Sequence, residues 1–178
     1  MRIEITEIPG LFIIESDTYF DDRGSFSRIH CHKEFEANGL DFHPEQSSLS
    51  FNKYRGTIRG LHFQAYPFSE AKFVTCIRGA AFDAVVDLRR SSPMFGKAFW
   101  FNLDANRSES IYVPKGCAHG FQTLTDETTL LYMISSSYQE KFAKGIRWND
   151  PAFNIPWPIK DSVRLSERDQ LLPLLNDL

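Results

Sequence analysis

An antiparallel β sandwich or barrel is the fold this sequence predicts, on three observations. Short runs alternate apolar and polar residues with the period of two that a half-buried strand requires. Gly, Pro and Asn/Asp turns separate these runs at close, regular spacing. Helical signals are confined to two short stretches.

Taken in order, Leu11–Glu15 reads as a strand closed by polar residues, and Asp21-Asp22-Arg23-Gly24 as a turn. Lys33 to Gly39 fits a short helix, with Gly39 as its stop. Strand signals then crowd together: Thr57–Phe63, Lys72–Arg78, Ala81–Leu88, Ala98–Leu103, Ser110–Val113, His119–Leu124 and Leu130–Ser135. In Ala81–Leu88, Phe82, Ala84, Val86 and Leu88 share one face, while Asp83, Val85 and Asp87 share the other. Glu167–Asn176 looks helical, interrupted by Pro173. Lys72 shares a face with Val74 and Cys76, and Tyr132 with Leu130 and Ile134. A polar group on an otherwise apolar face is costly unless it pairs or binds something, so both residues suggest a ligand pocket.

The chain has 178 residues, 42% of them apolar, which suits one domain, 1–178, with a substantial core. The formal net charge is −3 with both signs interspersed, so there is no basic stripe of the kind nucleic acid requires. No apolar run approaches a membrane span. The charged, alternating start Met1-Arg2-Ile3-Glu4-Ile5 lacks the apolar core of a signal peptide. Cys31, Cys76 and Cys117 are odd in number and widely spaced, which argues against a disulfide framework and for a cytoplasmic protein with reduced thiols.

Arg59-Gly60-Leu61-His62-Phe63-Gln64 carries the chemistry. A cation suits an anionic substrate group, and an imidazole titrating near neutrality suits proton transfer. Lys72 in Ala71-Lys72-Phe73-Val74, Tyr132, and Asp169 in Leu165-Ser166-Glu167-Arg168-Asp169 complete a set of base, acid, anion stabiliser and orienting carboxylate. Alone, each has a plainer reading. Tyr132 fits a core tyrosine bonded to a carbonyl. Lys72 fits a stem along a barrel wall with its head in water. Asp169 fits a cap of the C-terminal helical turn.

Together with their surroundings these residues resemble the dTDP-4-dehydrorhamnose 3,5-epimerase family, a branch of the cupin-like jelly rolls. The resemblance runs from about Gly10 to Asp169. Besides the blocks above it rests on Asp22-Arg23-Gly24, on Phe82 to Arg89, and on Ser92-Pro93-Met94-Phe95-Gly96-Lys97. Val113-Pro114-Lys115-Gly116-Cys117-Ala118-His119-Gly120-Phe121 and Gly145-Ile146-Arg147-Trp148-Asn149-Asp150-Pro151 extend it.

The resemblance implies an all-β, antiparallel jelly-roll barrel with a few short helices, and an isomerase acting on a nucleotide-linked 4-keto-6-deoxy sugar. The protons at C3 and C5 are acidified by the C4 carbonyl. Removal of one gives an enolate, and reprotonation from the opposite face inverts the centre. By resemblance His62 is the base, Asp169 its partner, Tyr132 the acid, and Lys72 the cation near the C4 oxygen. Arg59 and Arg23 match diphosphate-binding positions. Phe26, Gln46, Tyr138 and His119 match further substrate-binding positions, although His119 also reads as a structural histidine behind the site. The resemblance further implies a homodimer with strand exchange and no cofactor.

Several positions depart from the family's usual pattern. Arg28 stands in place of a nucleotide-contacting glutamate, and Gln46-Ser47-Ser48-Leu49-Ser50 lacks the usual asparagine. Met133 replaces a lysine, and Tyr66-Pro67-Phe68 replaces a proline pair. These changes bear on the nucleotide, the sugar and whether one or both carbons are inverted.

A metal-dependent cupin is a rival of another class. Phe63 and Gln64 follow His62, so the His-x-His pair such cupins carry is missing, leaving Glu70 and His119 as scattered donors. No metal is expected. His30-Cys31-His32 reads as a surface or interface strand rather than a ligand pair. A non-catalytic sugar-binding barrel is the third reading, and it does not require His62, Tyr132 and Asp169 together.

Overall fold

The computed structural model describes all 178 residues. Two antiparallel sheets face one another. The first has six strands: β1 (Arg2–Ile5), β2 (Phe12–Glu15), β10 (Glu109–Val113), β7 (Lys72–Arg78), β12 (Thr128–Ile134) and β5 (Gln46–Asn52), in that spatial order. The second has five: β13 (Ala143–Gly145), β6 (Ile58–Gln64), β11 (Cys117–Thr123), β8 (Ala80–Asp87) and β9 (Ala98–Asp104). A separate hairpin pairs β3 (Thr18–Asp21) with β4 (Gly24–Ser27). The fold is a cupin-like jelly roll. No helix is long and apolar enough to cross a membrane.

The space between the sheets is filled from both sides. Ile13, Val74, Cys76, Ile111, Val113 and Leu130 of the first sheet meet Ala81, Val85, Leu103, Cys117 and Phe121 of the second. The outer face of the second sheet, with Ile58, Leu61, Phe82, Ala84, Val86 and Ala118, is covered by Ile146, Phe153 and Trp157. Part of the first sheet's outer face is closed by α1 (His32–Ala37) and the loop after it, through Phe35, Leu40 and Phe42 on Ile14, Phe73 and Tyr112. The remainder of that face is open: Leu49, Phe51 and Ile77 are exposed.

The alternating strands form close to where periodicity places them. Four strands escaped it. β5 is mostly polar, and its two exposed apolar residues, Leu49 and Phe51, point outward. β3, β4 and β13 are only three or four residues long. The N-terminal β1 pairs with β2 of its own chain and remains at the sheet edge.

The reading of His30-Cys31-His32 as a strand is corrected. Cys31 is the N-cap of α1, and His32 is its first residue. His30 lies against Phe35 and Phe42, at ring-centroid distances of 4.7 and 5.7 Å, with its Nε2 unpartnered. Burial, helped by the charge of His32, lowers its pKa. The unfolded chain therefore binds this proton more readily than the fold does. Stability is full above the ordinary histidine value and falls as pH drops through it toward the lower folded value. His30→Phe is expected to flatten that acid limb, seen as a smaller drop in Tm between about pH 7 and pH 5 than in the parent protein.

Candidate active site

A cavity of about 240 Å³ opens between the sheets, lined by Ser50, Arg59, His62, Lys72, His119, Phe121 and Tyr132. Strict alternation along β6 would place Arg59 and His62 on opposite faces, because they are three residues apart. Pairing with β11 resolves this. Phe121 stands opposite Arg59 and His119 opposite His62, so three steps on β6 match two on β11. The extra residue is a bulge. It occurs where Gly60, with φ +126°, lies so close to β11 that a Cβ would stand 2.6 Å from the Gly120 Cα. Only glycine fits there. The bulge turns both functional side chains into the cavity.

His62 Nε2 lies 2.6 Å from Asp169 Oδ1. The Asp169 side chain is 5% exposed, while the imidazole, 38% exposed, reaches the cavity. Asp169 comes from α2 (Glu167–Gln170), whose N-cap is Ser166: the Asp169 N–H donates to Ser166 Oγ at 3.1 Å. The serine caps the turn and leaves the Asp169 carboxylate free for His62 and for the Gly60 N–H, which donates at 3.4 Å. Burial pushes this carboxyl up, but the His62 hydrogen bond and charge, with Gly60 and Ser166, outweigh it and hold the group below its ordinary value. It is an ionised partner for the imidazole, fixing the ring's orientation and stabilising an imidazolium.

Lys72 and Tyr132 come from the opposite sheet. They sit on inward positions of β7 and β12, where Lys72 pairs with Ile134 and Tyr132 with Val74. The Lys72 ammonium crosses to the other wall and donates to the His62 carbonyl at 3.0 Å. Burial raises the Tyr132 pKa well above its ordinary value, with the Asp83 charge adding to this and Arg59 opposing it. The phenol is held neutral and is a proton donor.

His119 is a second buried imidazole, with Nε2 2.8 Å from Asp83 Oδ2, and its ring packs edge-on against Tyr132 at 5.8 Å. The pair is almost fully enclosed. Burial raises the Asp83 carboxyl, against the charges of His119 and Lys72. Asp83 was visible in the sequence only as a polar residue on the face it shares with Val85 and Asp87. Asn52 was not visible at all, yet this buried side chain accepts from Arg59 Nε at 2.8 Å. Ser50 was hidden in the polar β5. Arg59 also lines a neighbouring cleft of about 410 Å³, with Lys53, Tyr54, Arg164 and Asp169.

Besides Asp169, which stands behind His62, four sequence candidates do not line the cavity. Gln46 and Tyr138 meet each other, with the Tyr138 N–H donating to Gln46 Oε1 at 3.2 Å. Arg23 and Phe26 lie on the β3–β4 hairpin, where Arg23 pairs with Asp21 at 2.5 Å and Phe26 is exposed. Among the departures, Arg28 pairs with Glu34, and Met133 packs beside Phe73 on the outer side of the first sheet. No group of three or more His, Cys, Asp or Glu side chains is arranged to hold a metal ion.

The family model described as dTDP-4-dehydrorhamnose 3,5-epimerase matches residues 5–177. The dTDP-4-dehydrorhamnose 3,5-epimerase of Sinorhizobium fredii is 38% identical over all of this chain and 91% of its own. The dTDP-4-dehydrorhamnose 3-epimerase of Streptomyces niveus is 39% identical over 96% of this chain and 82% of its own. The crystal structure of the Bacillus anthracis 3,5-epimerase, with TDP and PPi bound, superposes with a TM-score of 0.95. It is 36% identical and covers 98% of this chain and 99% of that one.

Proposed function

Because the chain belongs to the dTDP-4-dehydrorhamnose 3,5-epimerase family, and so to the isomerases, we propose that it epimerises C3 and C5 of a nucleotide-linked 4-keto-6-deoxyhexose. The substrate type is dTDP-4-dehydro-6-deoxyglucose, converted to dTDP-4-dehydrorhamnose. One observation carries the reading. The oriented His62–Asp169 pair opens on a cavity whose opposite wall holds a neutral phenol and an ammonium.

In this reading His62 takes the proton next to the ketone, and the imidazolium is stabilised by Asp169. Charge moves to the C4 oxygen, where Lys72 lies in a site largely closed to water. A fixed cation there acts mainly on the enolate-like transition state, which is where a large catalytic contribution is available. Tyr132 returns a proton from the other face. His119, supported by Asp83, holds the Tyr132 ring and lines the sugar site. Arg59, shared between the cavity and the cationic cleft, takes the diphosphate. The test is a panel of 4-keto-6-deoxy sugar nucleotides in deuterated water, with label position read by NMR. Label at both C3 and C5 is expected. Label at C3 alone is the second reading, which the 39% identity to a relative named as a 3-epimerase favours.

Arg59→Ala is expected to raise KM by about ten- to a hundredfold, or about 1.4–2.8 kcal/mol, with kcat little changed. The diphosphate is remote from the reacting carbons and is held alike in ground and transition states. Steady-state kinetics decide it. A collapse of kcat at constant KM assigns Arg59 another role.

We propose a homodimer as the working unit. Tyr19, Phe20 and Phe26 are exposed on a two-stranded arm, and Leu49, Phe51 and Ile77 are exposed on the open sheet face. An apolar surface of this kind favours burial against a second copy, and an isolated hairpin gains stability by adding to another sheet. The arm of one copy would then bring Arg23 and Phe26 to the other's site, which accounts for their distance from the cavity in their own chain. Sedimentation is expected to give a dimer at micromolar concentration. A stable monomer overturns the assembly.

A further inference from the structure

Glu70 has no part in the reaction as described, yet it is a carboxylate enclosed in the wall of the site. Its Oε1 lies 3.1 Å from Lys72 Nζ, and the two side chains are only 10% and 8% exposed. Enclosing a carboxylate is costly unless a counter-charge meets it, and Lys72 is that counter-charge.

The segment that carries Glu70 is pinned on both sides. The Phe68 carbonyl accepts from Gln64 Nε2 at 3.1 Å. The Ala71 N–H donates to Ser135 Oγ at 2.8 Å, and its carbonyl accepts from the Ser135 N–H at 3.0 Å. Glu70 is thus held by β6 on one side and by the end of β12 on the other. A carboxylate fixed in this way can fix what it binds.

An ammonium has three N–H groups. Lys72 gives one to the His62 carbonyl at 3.0 Å, while the Glu70 carboxylate meets its charge as an ion pair. The ammonium keeps donors for the cavity that Lys72 lines. A free lysine head is a rotating point charge on a four-carbon stem. With a hydrogen bond on one side and a fixed counter-charge on the other, its head has a set position.

We propose that Glu70 is a positioning residue for the epimerisation, acting through Lys72. It holds the ammonium where its charge and a free N–H meet the substrate's C4 oxygen as negative charge develops there. The proposal rests on the epimerase reading of this site. Asp83 is the other carboxylate that feels the Lys72 charge, but it is engaged by His119 and stands on the five-stranded sheet.

The test measures deuterium exchange and steady-state kinetics on dTDP-4-dehydro-6-deoxyglucose with Glu70→Gln, Lys72→Met and the double variant. Glu70→Gln keeps the size of the side chain and removes its charge. It is expected to lower kcat about ten- to a hundredfold, by analogy with the loss seen when the partners that orient metal ligands are removed, with KM within about threefold. Glu70→Asp retains the charge at shorter reach and falls between. The double variant exchanges at the rate of Lys72→Met alone, because Glu70 has nothing left to orient. It removes both charges together and leaves neither buried alone, and Glu70→Asp, which keeps the ion pair's charges, carries the kcat test where Glu70→Gln alone fails to fold.

Three results overturn the proposal: Glu70→Gln exchanging at the parent rate, a rise in KM with kcat intact, or a double variant slower than Lys72→Met by the full Glu70→Gln factor. Parent protein that exchanges no deuterium in the same assay removes the epimerase reading itself, and the role of Glu70 with it.

Discussion

Replacing His62 with asparagine is expected to stop exchange of solvent deuterium into C3 and C5, a loss of about a hundred- to ten-thousandfold. The imidazole is the cavity group with an ionised carboxylate behind it, at 2.6 Å, and an exposed edge in front. Asparagine keeps a polar group on β6 but cannot take the proton. Exchange needs removal of the proton and return of a deuteron from either face, so the assay follows deprotonation without requiring inversion. Asp169→Asn is expected to fall between the parent and His62→Asn. The base remains, but the charge that stabilises its protonated form is gone, and the amide can hold the ring in the wrong tautomer. Ser166 still caps α2 through the backbone N–H of residue 169, so the loss belongs to the pair and not to the helix end. Exchange at the parent rate in His62→Asn ends the proposed mechanism.

Tyr132→Phe is expected to separate inversion from deprotonation. The substitution keeps the ring and its edge-on packing against His119, and removes only the hydroxyl. The parent phenol is neutral because burial and the Asp83 charge both hold its proton in place. The proposed reaction uses that proton after the enolate exists. The variant should therefore still wash label into the substrate while epimer formation falls by about a hundredfold or more. NMR of one reaction mixture reads both quantities. Inversion of both centres at the parent rate places the acid elsewhere.

Two inward-facing groups of the site were legible in the residues themselves. In Lys72-Phe73-Val74-Thr75-Cys76 and Leu130-Leu131-Tyr132-Met133-Ile134 the apolar partners on alternate positions fix which way Lys72 and Tyr132 point, because a strand has a period of two. Alternation put Asp83 on one face with Val85 and Asp87, but did not say that this face is the inner one, nor name its partner. The blocks around Arg59, His62 and Asp169 marked a family resemblance that the comparisons bear out. None of this required knowing which strand lies beside which.

The rest depended on that knowledge. β5 alternates with its apolar residues outward, so hydrophobicity marked no strand there and left Ser50 and Asn52 hidden. Its polar face is inward because a cavity, and not a packed core, lies there. Arg23 and Phe26 share no local pattern with the residues that line the cavity, and the hairpin that carries them lines a separate cleft. His62 meets Asp169 across 107 positions of sequence, and His119 meets Asp83 across 36. Arg59 and His62 share a face only through the bulge at Gly60, which exists because β6 pairs with β11 in a register with one residue to spare. Side-chain alternation is a property of one strand and can be read from it. Bulges, cross-strand partners and the burial of a carboxylate behind a lysine are properties of two or more segments, and they are decided only when the sheets close.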